Sequence, residues 1–212
     1  MTLRLISFLE QIQNIPQSGQ IVLGHQTNDQ IVVYQAYNNQ IAQYAISNQK
    51  LGGLHFSYNR MSWIKPNFLW MMYRCGWAEK ENQENVIAIW IKKVDFETIL
   101  ENAVYSSFQE SLYHIKEKWK NELEQKDVRL QWDPDHDPFG NKQERRAIQI
   151  GLKGDSLKAF GEEMIQKIEN ITDFVKTQKQ FVDKKDIESL VVPAETIYRT
   201  TNQSLNQKLG IE

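Results

Sequence analysis

The sequence predicts an α+β fold, a small mixed or split β-sheet core flanked by helices, in a single domain over residues 1–212. Residues 86–91 read VIAIWI, an unbroken apolar run suited to a central strand covered on both faces. Residues 31–37 and 146–152 alternate with the period of two that marks a half-buried strand. Helical stripes separate these strands without a regular βαβ rhythm, which argues against a doubly wound sheet. Residues 1–20 read as an N-terminal helical extension, and residues 21–212 as the core with C-terminal helices.

In chain order, Leu3, Ile6 and Leu9 fall at helical spacing, and Pro16 and Gly19 stop that helix. Residues 21–23 and 31–37 read as strands around a polar turn at Thr27, Asn28 and Asp29. In the second strand Ile31, Val33, Gln35 and Tyr37 share one face. Asn38 suits the N-cap of a helix that closes at Gly52 and Gly53. Residues 60–65 form a strand, and Pro66 opens a helix with Phe68, Met71, Met72 and Cys75 on one side and Trp70, Arg74 and Trp77 on another. Asp95 caps a short helix, and Phe108, Leu112, Ile115, Trp119 and Leu123 form an apolar stripe on a long one. Residues 128–132 are a strand, followed by a turn and the strand of residues 146–152. A long helix from Asp155 places Leu157, Phe160, Met164, Ile168 and Ile171 on one face. A last strand at 187–192 precedes a helix that opens near Pro193 and closes near Gly210.

A net charge of −2 gives no global attraction to nucleic acid or anionic membranes, so such contact needs a local patch. One cysteine, Cys75, excludes an internal disulfide framework and fits a reducing cytoplasm. No apolar run approaches the ~18 residues of a membrane span, so no membrane partner is expected. His25, His55, His114 and His136 lack metal-ligand spacing, and there is no nucleophile elbow, phosphate-cradling glycine loop or CxxC. Residues 133–144 mimic the ligand spacing of a calcium loop, with Asp133, Asp135, Asp137, Asn141 and Glu144, but Pro138 stands where a glycine is needed. A structural turn without metal is expected.

Residues 60–77, RMSWIKPNFLWMMYRCGW, concentrate cations among aromatics as no other window does. The apolar side is core. Arg60, Lys65 and Arg74 are harder to explain, because buried cations need partners. Arg74 can lie against Trp70 or Trp77, either as packing or to present a planar cation to a phosphate or carboxylate. Gln35 with Tyr37, Trp132 with Asp133, and Arg146 with Gln149 stand on or at the ends of strands, where sheets offer side chains to clefts. Gln149, between Ala147 and Gly151, reads either as a satisfied cross-strand amide or as a ligand contact.

With VYQAY at 33–37, QWDPDHD at 131–137, RAIQIGL at 146–152 and VPAE at 192–195, the 60–77 stretch resembles the family catalogued as domain of unknown function 4291, over roughly residues 30–210. Ser62 and Asn67 stand where Thr and Ser are expected. That family implies no activity. A weaker resemblance in element order is to the ADP-ribosyltransferase fold, which binds NAD between two small sheets. It implies an NAD-binding transferase acting on a nucleic acid or protein. Gln35, Tyr37, Ser62 and Trp63 would then meet the nicotinamide end, with Tyr37 and Trp63 stacking on rings. Arg60, Lys65 or Arg74 would hold the pyrophosphate, and Trp132 and Arg146 would also bind the cofactor. Gln149 or Glu144 would be catalytic. The late strand RAIQIGL carries no Glu of its own, although stabilising a ribosyl cation normally uses a carboxylate. The alternative is a nucleotide or single-stranded RNA binding module without catalysis, using the same cations and rings.

Overall fold

A computed structural model describes residues 2–211. In chain order its elements are β1 (Leu5–Ser7), α1 (Phe8–Gln13), β2 (Gly19–Gln20), β3 (Leu23–Gly24), β4 (Gln30–Tyr37), α2 (Asn39–Asn48), β5 (Ser62–Ile64) and α3 (Phe68–Cys75). Then follow β6 (Asn85–Lys92), α4 (Lys93–Asn102), β7 (Ala103–Tyr105), α5 (Glu110–Tyr113), α6 (Lys116–Gln125), β8 (Val128–His136) and β9 (Lys142–Leu152). The chain closes with α7 (Gly154–Ala159), a π-turn at Phe160–Met164, β10 (Ile165–Asn170), α8 (Thr172–Lys184), β11 (Val191–Pro193), β12 (Thr196–Ile197) and α9 (Gln203–Leu209). The fold is α+β. A three-stranded antiparallel sheet runs β10-β6-β4. A five-stranded sheet runs β2-β9-β8-β7, with β5 also pairing β9. Two ribbons, β1-β11 and β12-β3, tie the chain ends down.

The VIAIWI run is the centre of the three-stranded sheet, as its unbroken apolarity requires. Ile87, Ile89 and Ile91 join Ile31 and Val33 in a core shared with Leu130, Trp132, Ile148 and Ile150 of the second sheet. Val86, Ala88 and Trp90 face the other way, with Val32 and Tyr34, onto Phe68, Met71, Met72 and Val175. Gln35 and Tyr37 continue the first of these faces past the apolar core.

Helix α3 is anchored from far away in sequence. Asn67 Oδ1 accepts from the Trp70 amide at 2.6 Å, and Glu195 Oε1 accepts from the Phe68 amide at 2.6 Å. Gln11 in turn holds the Glu195 backbone in both directions, each bond 2.9 Å. The helix ends at Gly76, and Gly76, Trp77 and Ala78 all have positive φ. Left-handed backbone at a tryptophan is costly. It is retained because Trp77 is buried beside Phe68 and its Nε1 donates to the Pro138 carbonyl at 3.2 Å.

Several elements depart from the helical and strand spacing. Residues 5–7 are a strand, because β11 offers them a pairing edge. The 108–123 stripe is broken at His114, whose φ is 56°, leaving two short helices with Leu112 and Ile115 exposed. The long helix from Asp155 is α7, a π-turn and β10. Ile165 and Ile168 pair with Ile91 and Ile89, and Gln49 bonds the backbone of Ile168 from the open edge. Trp77 lies beyond α3, and the last helix begins at Gln203. In the Asp-rich segment β8 extends to His136, but its register against β9 shifts between Pro134 and His136, and the carboxylates on either side take different partners. Asp135 pairs with the buried Arg145 at 2.5 Å, and Asp137 accepts from the Phe139 and Asn141 amides of the hairpin turn.

Burial pushes the Glu195 carboxyl well above the usual carboxylate range, with the Phe68 amide opposing. A neutral isostere should therefore keep most of the anchoring. Glu195→Ala is expected to lose about 2 kcal/mol in urea unfolding, the cost of orphaning a buried helix-start amide. Glu195→Gln should lose less than half of that.

Candidate functional site

A cavity of about 810 Å³ opens where the two sheets meet. Strand β4 contributes Gln35 and Tyr37, β5 contributes Ser62 and Trp63, and Lys65 follows β5. Helix α3 supplies Met71 and Arg74, β8 supplies Gln131 and Asp133, and β9 supplies Gln149. The loops add His55, Phe56, Arg60 and residues 81–83.

Two polar clusters organise the walls. In the first, Gln35 Nε2 donates to Ser62 Oγ at 2.8 Å, and Ser62 Oγ and the Tyr37 hydroxyl share a bond of 2.8 Å. Gln35 is only 2% exposed, and its Oε1 has no hydrogen-bond partner among the described residues. A buried amide oxygen facing a cavity is open to a hydrogen-bond donor, N–H or O–H. Burial raises the Tyr37 phenol well above its ordinary value, so it stays protonated. In the second cluster, Gln131 and Gln149 face each other across the β8-β9 register. Gln131 Nε2 donates to Asp133 Oδ1 at 2.8 Å, and Gln149 Nε2 donates to Asp133 Oδ2 at 2.7 Å. Each carboxylate oxygen is thus fixed by one amide. Gln149 is both a satisfied cross-strand amide and part of the cavity wall. The room beside it at Gly151 is taken by Met61, whose Sδ would lie 2.7 Å from an added Cβ.

Three cations line the same space. Arg60 and Arg74 are exposed, and the Arg74 guanidinium lies 5.8 Å from the centre of the Trp70 ring. Lys65 alone is buried, at 5% exposure, with Nζ donating to the Trp63 carbonyl at 3.2 Å. Among the described residues the ion pairs are Arg145–Asp135, Lys167–Glu169, Lys179–Glu79 and Lys179–Asp183, and none involves these three cations. Burial, reinforced by Arg74, pushes the Lys65 amine down to about 7.

Eight of the site residues named from the sequence thus come together: Gln35, Tyr37, Arg60, Ser62, Trp63, Lys65, Arg74 and Gln149. Trp132 does not, because β8 alternation turns it into the core shared by the two sheets. Arg146 is exposed, donates to the Trp132 carbonyl at 2.8 Å and lies outside the cavity lining. Glu144 is exposed near the start of β9, also outside the lining. Gln131 is the wall residue that sequence reasoning passed over, and its place two residues before Asp133 on one strand face is the signal that finds it. The loop residues Glu81, Asn82 and Gln83 carry no such signal.

The folded value of about 7 lies below the ordinary amine value, so between those two the unfolded chain binds more protons. Stability therefore rises with pH across that window, and the full penalty of a buried charge applies below it. Lys65→Met is expected to raise the melting temperature at pH 6 by at least about 2 °C, with the gain shrinking toward pH 10. Scanning fluorimetry across this range reads it.

The model of a family described as Domain of unknown function (DUF4291) matches residues 21–198, a span that includes every residue of the cavity wall. No curated protein matches. No helix among the described residues is long and apolar enough to cross a membrane.

Proposed function

The chain belongs to the DUF4291 family, whose description assigns no activity, and we propose that it is an NAD-binding, ADP-ribosyltransferase-like enzyme acting on a nucleic-acid or protein acceptor. The observation that carries this reading is the Asp133 carboxylate, fixed by Gln131 and Gln149 in a cavity with three cations that make no ion pair among the described residues. The late strand has no Glu, and Asp133 supplies the missing carboxylate from the neighbouring strand, hydrogen-bonded to Gln149.

The donor set fits the parts of NAD separately. Gln35 Oε1, without a donor among the described residues, suits the N–H of a carboxamide. Tyr37 and Trp63 suit flat rings. Lys65 and Arg74 suit the pyrophosphate, with Arg60 beside them. NAD would supply a ribosyl carbon whose bond to nicotinamide breaks, nicotinamide leaving as a neutral base, while the acceptor, or water in its absence, would form the new bond to that carbon and give up a proton. Asp133 then stabilises the positive charge that develops at that carbon. Both its oxygens are already oriented, so little reorganisation accompanies the charge. Gln149 holds the carboxylate in place and is a positioning residue in this reading.

NAD is expected to raise the melting temperature of the protein and to be consumed over long incubation. Asp133→Asn should cut consumption by about 10²–10³-fold, the usual loss on removing one electrostatic stabiliser, while leaving the NAD-induced shift largely intact. Absence of both the shift and the consumption would overturn the reading. A shift without consumption in the unaltered protein would favour the nucleotide-binding module.

A further inference from the structure

Lys65 differs from the two arginines in how it is held. Its backbone is committed on both sides, with its amide donating to Tyr34 at 3.2 Å and its carbonyl accepting from Tyr34 at 2.7 Å. Ile64, Pro66 and Asn67 around it are all buried, so the side chain enters the cavity from an interior segment. An ammonium carries three N–H donors. Here one of them meets the Trp63 carbonyl at 3.2 Å, and no carboxylate among the described residues lies within 4.0 Å. The charged and titratable groups acting on it are Arg74 and Cys75 from α3 and Asp133 from β8. Arg60, Glu81, His55 and Tyr37 line the same cavity.

We infer that Lys65 is the anion ligand of this cavity and takes up a proton when a phosphate- or sulfate-bearing group enters. The N–H groups that Trp63 does not take are open to an acceptor entering the cavity, and an anion there reverses the reason for the amine to be neutral. Without an anion, the buried amine sits near pH 7 under desolvation and the Arg74 charge. With one, the opposite charge holds the ammonium form. This inference deepens the proposed function by making its pyrophosphate end proton-linked, yet it requires only that the cavity binds an anion.

The test is calorimetric titration at pH 8 in buffers of different ionisation enthalpy, which counts protons taken up on binding. ADP-ribose and inorganic sulfate are the probes, since neither a pyrophosphate diester nor sulfate titrates near this pH. With an amine value of about 7, roughly nine-tenths of Lys65 is neutral at pH 8, so an uptake close to one proton is expected for each probe that binds. Lys65→Arg, permanently charged, should bind with no uptake. Lys65→Met should bind at least tenfold more weakly, and His55→Gln should leave the proton count unchanged. Sulfate binding with uptake but no ADP-ribose binding would sustain Lys65 and remove the nucleotide reading. Binding of either probe without uptake, uptake that survives in Lys65→Arg, or failure of both probes to bind would overturn the inference.

Discussion

Tyr34 and Lys65 exchange backbone hydrogen bonds in both directions, and this isolated antiparallel bridge links the three-stranded sheet to the strand that leads the second sheet into α3. Much follows from it. It brings the end of β4 beside β5, so that Gln35 and Tyr37 reach Ser62. It also commits a lysine to an interior position between Ile64 and Pro66, where a charge is expensive to desolvate. A chain selected for stability alone would place an apolar side chain here. In the proposed reading the counter-charge of the lysine would arrive with a ligand, so that one residue would carry both a stability cost and a binding function.

The other wall depends on α3, and α3 is short, so its direction comes from what grips its ends. Glu195 and Asn67 hold the start, and Gln11 fixes the Glu195 backbone in turn. The far end is held by the left-handed turn at Gly76, Trp77 and Ala78, with the Trp77 indole bonded to Pro138. Between these clamps, Met71 and Arg74 face the cavity, while Trp70 and Tyr73 stack with His136 on β8. Segments near both ends of the chain and the β8-β9 hairpin therefore set where one guanidinium lies.

Much of this was legible in the residues themselves. The apolar run of β6, the alternation of β4 and β9, and the Asn38 cap are local signals, and the last is seen as Asn38 Oδ1 accepting from the Ile41 amide. The concentration of cations among aromatics at 60–77 supplies Arg60, Lys65 and Arg74 to the cavity lining, with Arg60 and Arg74 exposed and Lys65 buried. What could not be read depended on partners distant in sequence. Strand β10 was hidden because Met164, Ile168 and Ile171 keep helical spacing, and only the open edge of β6 makes Ile165–Asn170 extended. The role of Glu195 was hidden because the helix it caps begins 127 residues earlier. The bond between Asp133 and Gln149 requires the β8-β9 register, which a sequence pattern does not supply.

The central claim is that one cavity, floored by Lys65 and walled by Asp133, holds a nucleotide with its phosphates on the cations. A crystal structure of the protein grown with ADP-ribose tests this most directly. The account predicts a pyrophosphate within hydrogen-bond distance of Lys65 Nζ and the Arg74 guanidinium, with a ribose against the Asp133 carboxylate. ADP-ribose bound elsewhere on the surface, or an empty cavity in which Lys65 has swung onto Asp133, would contradict it.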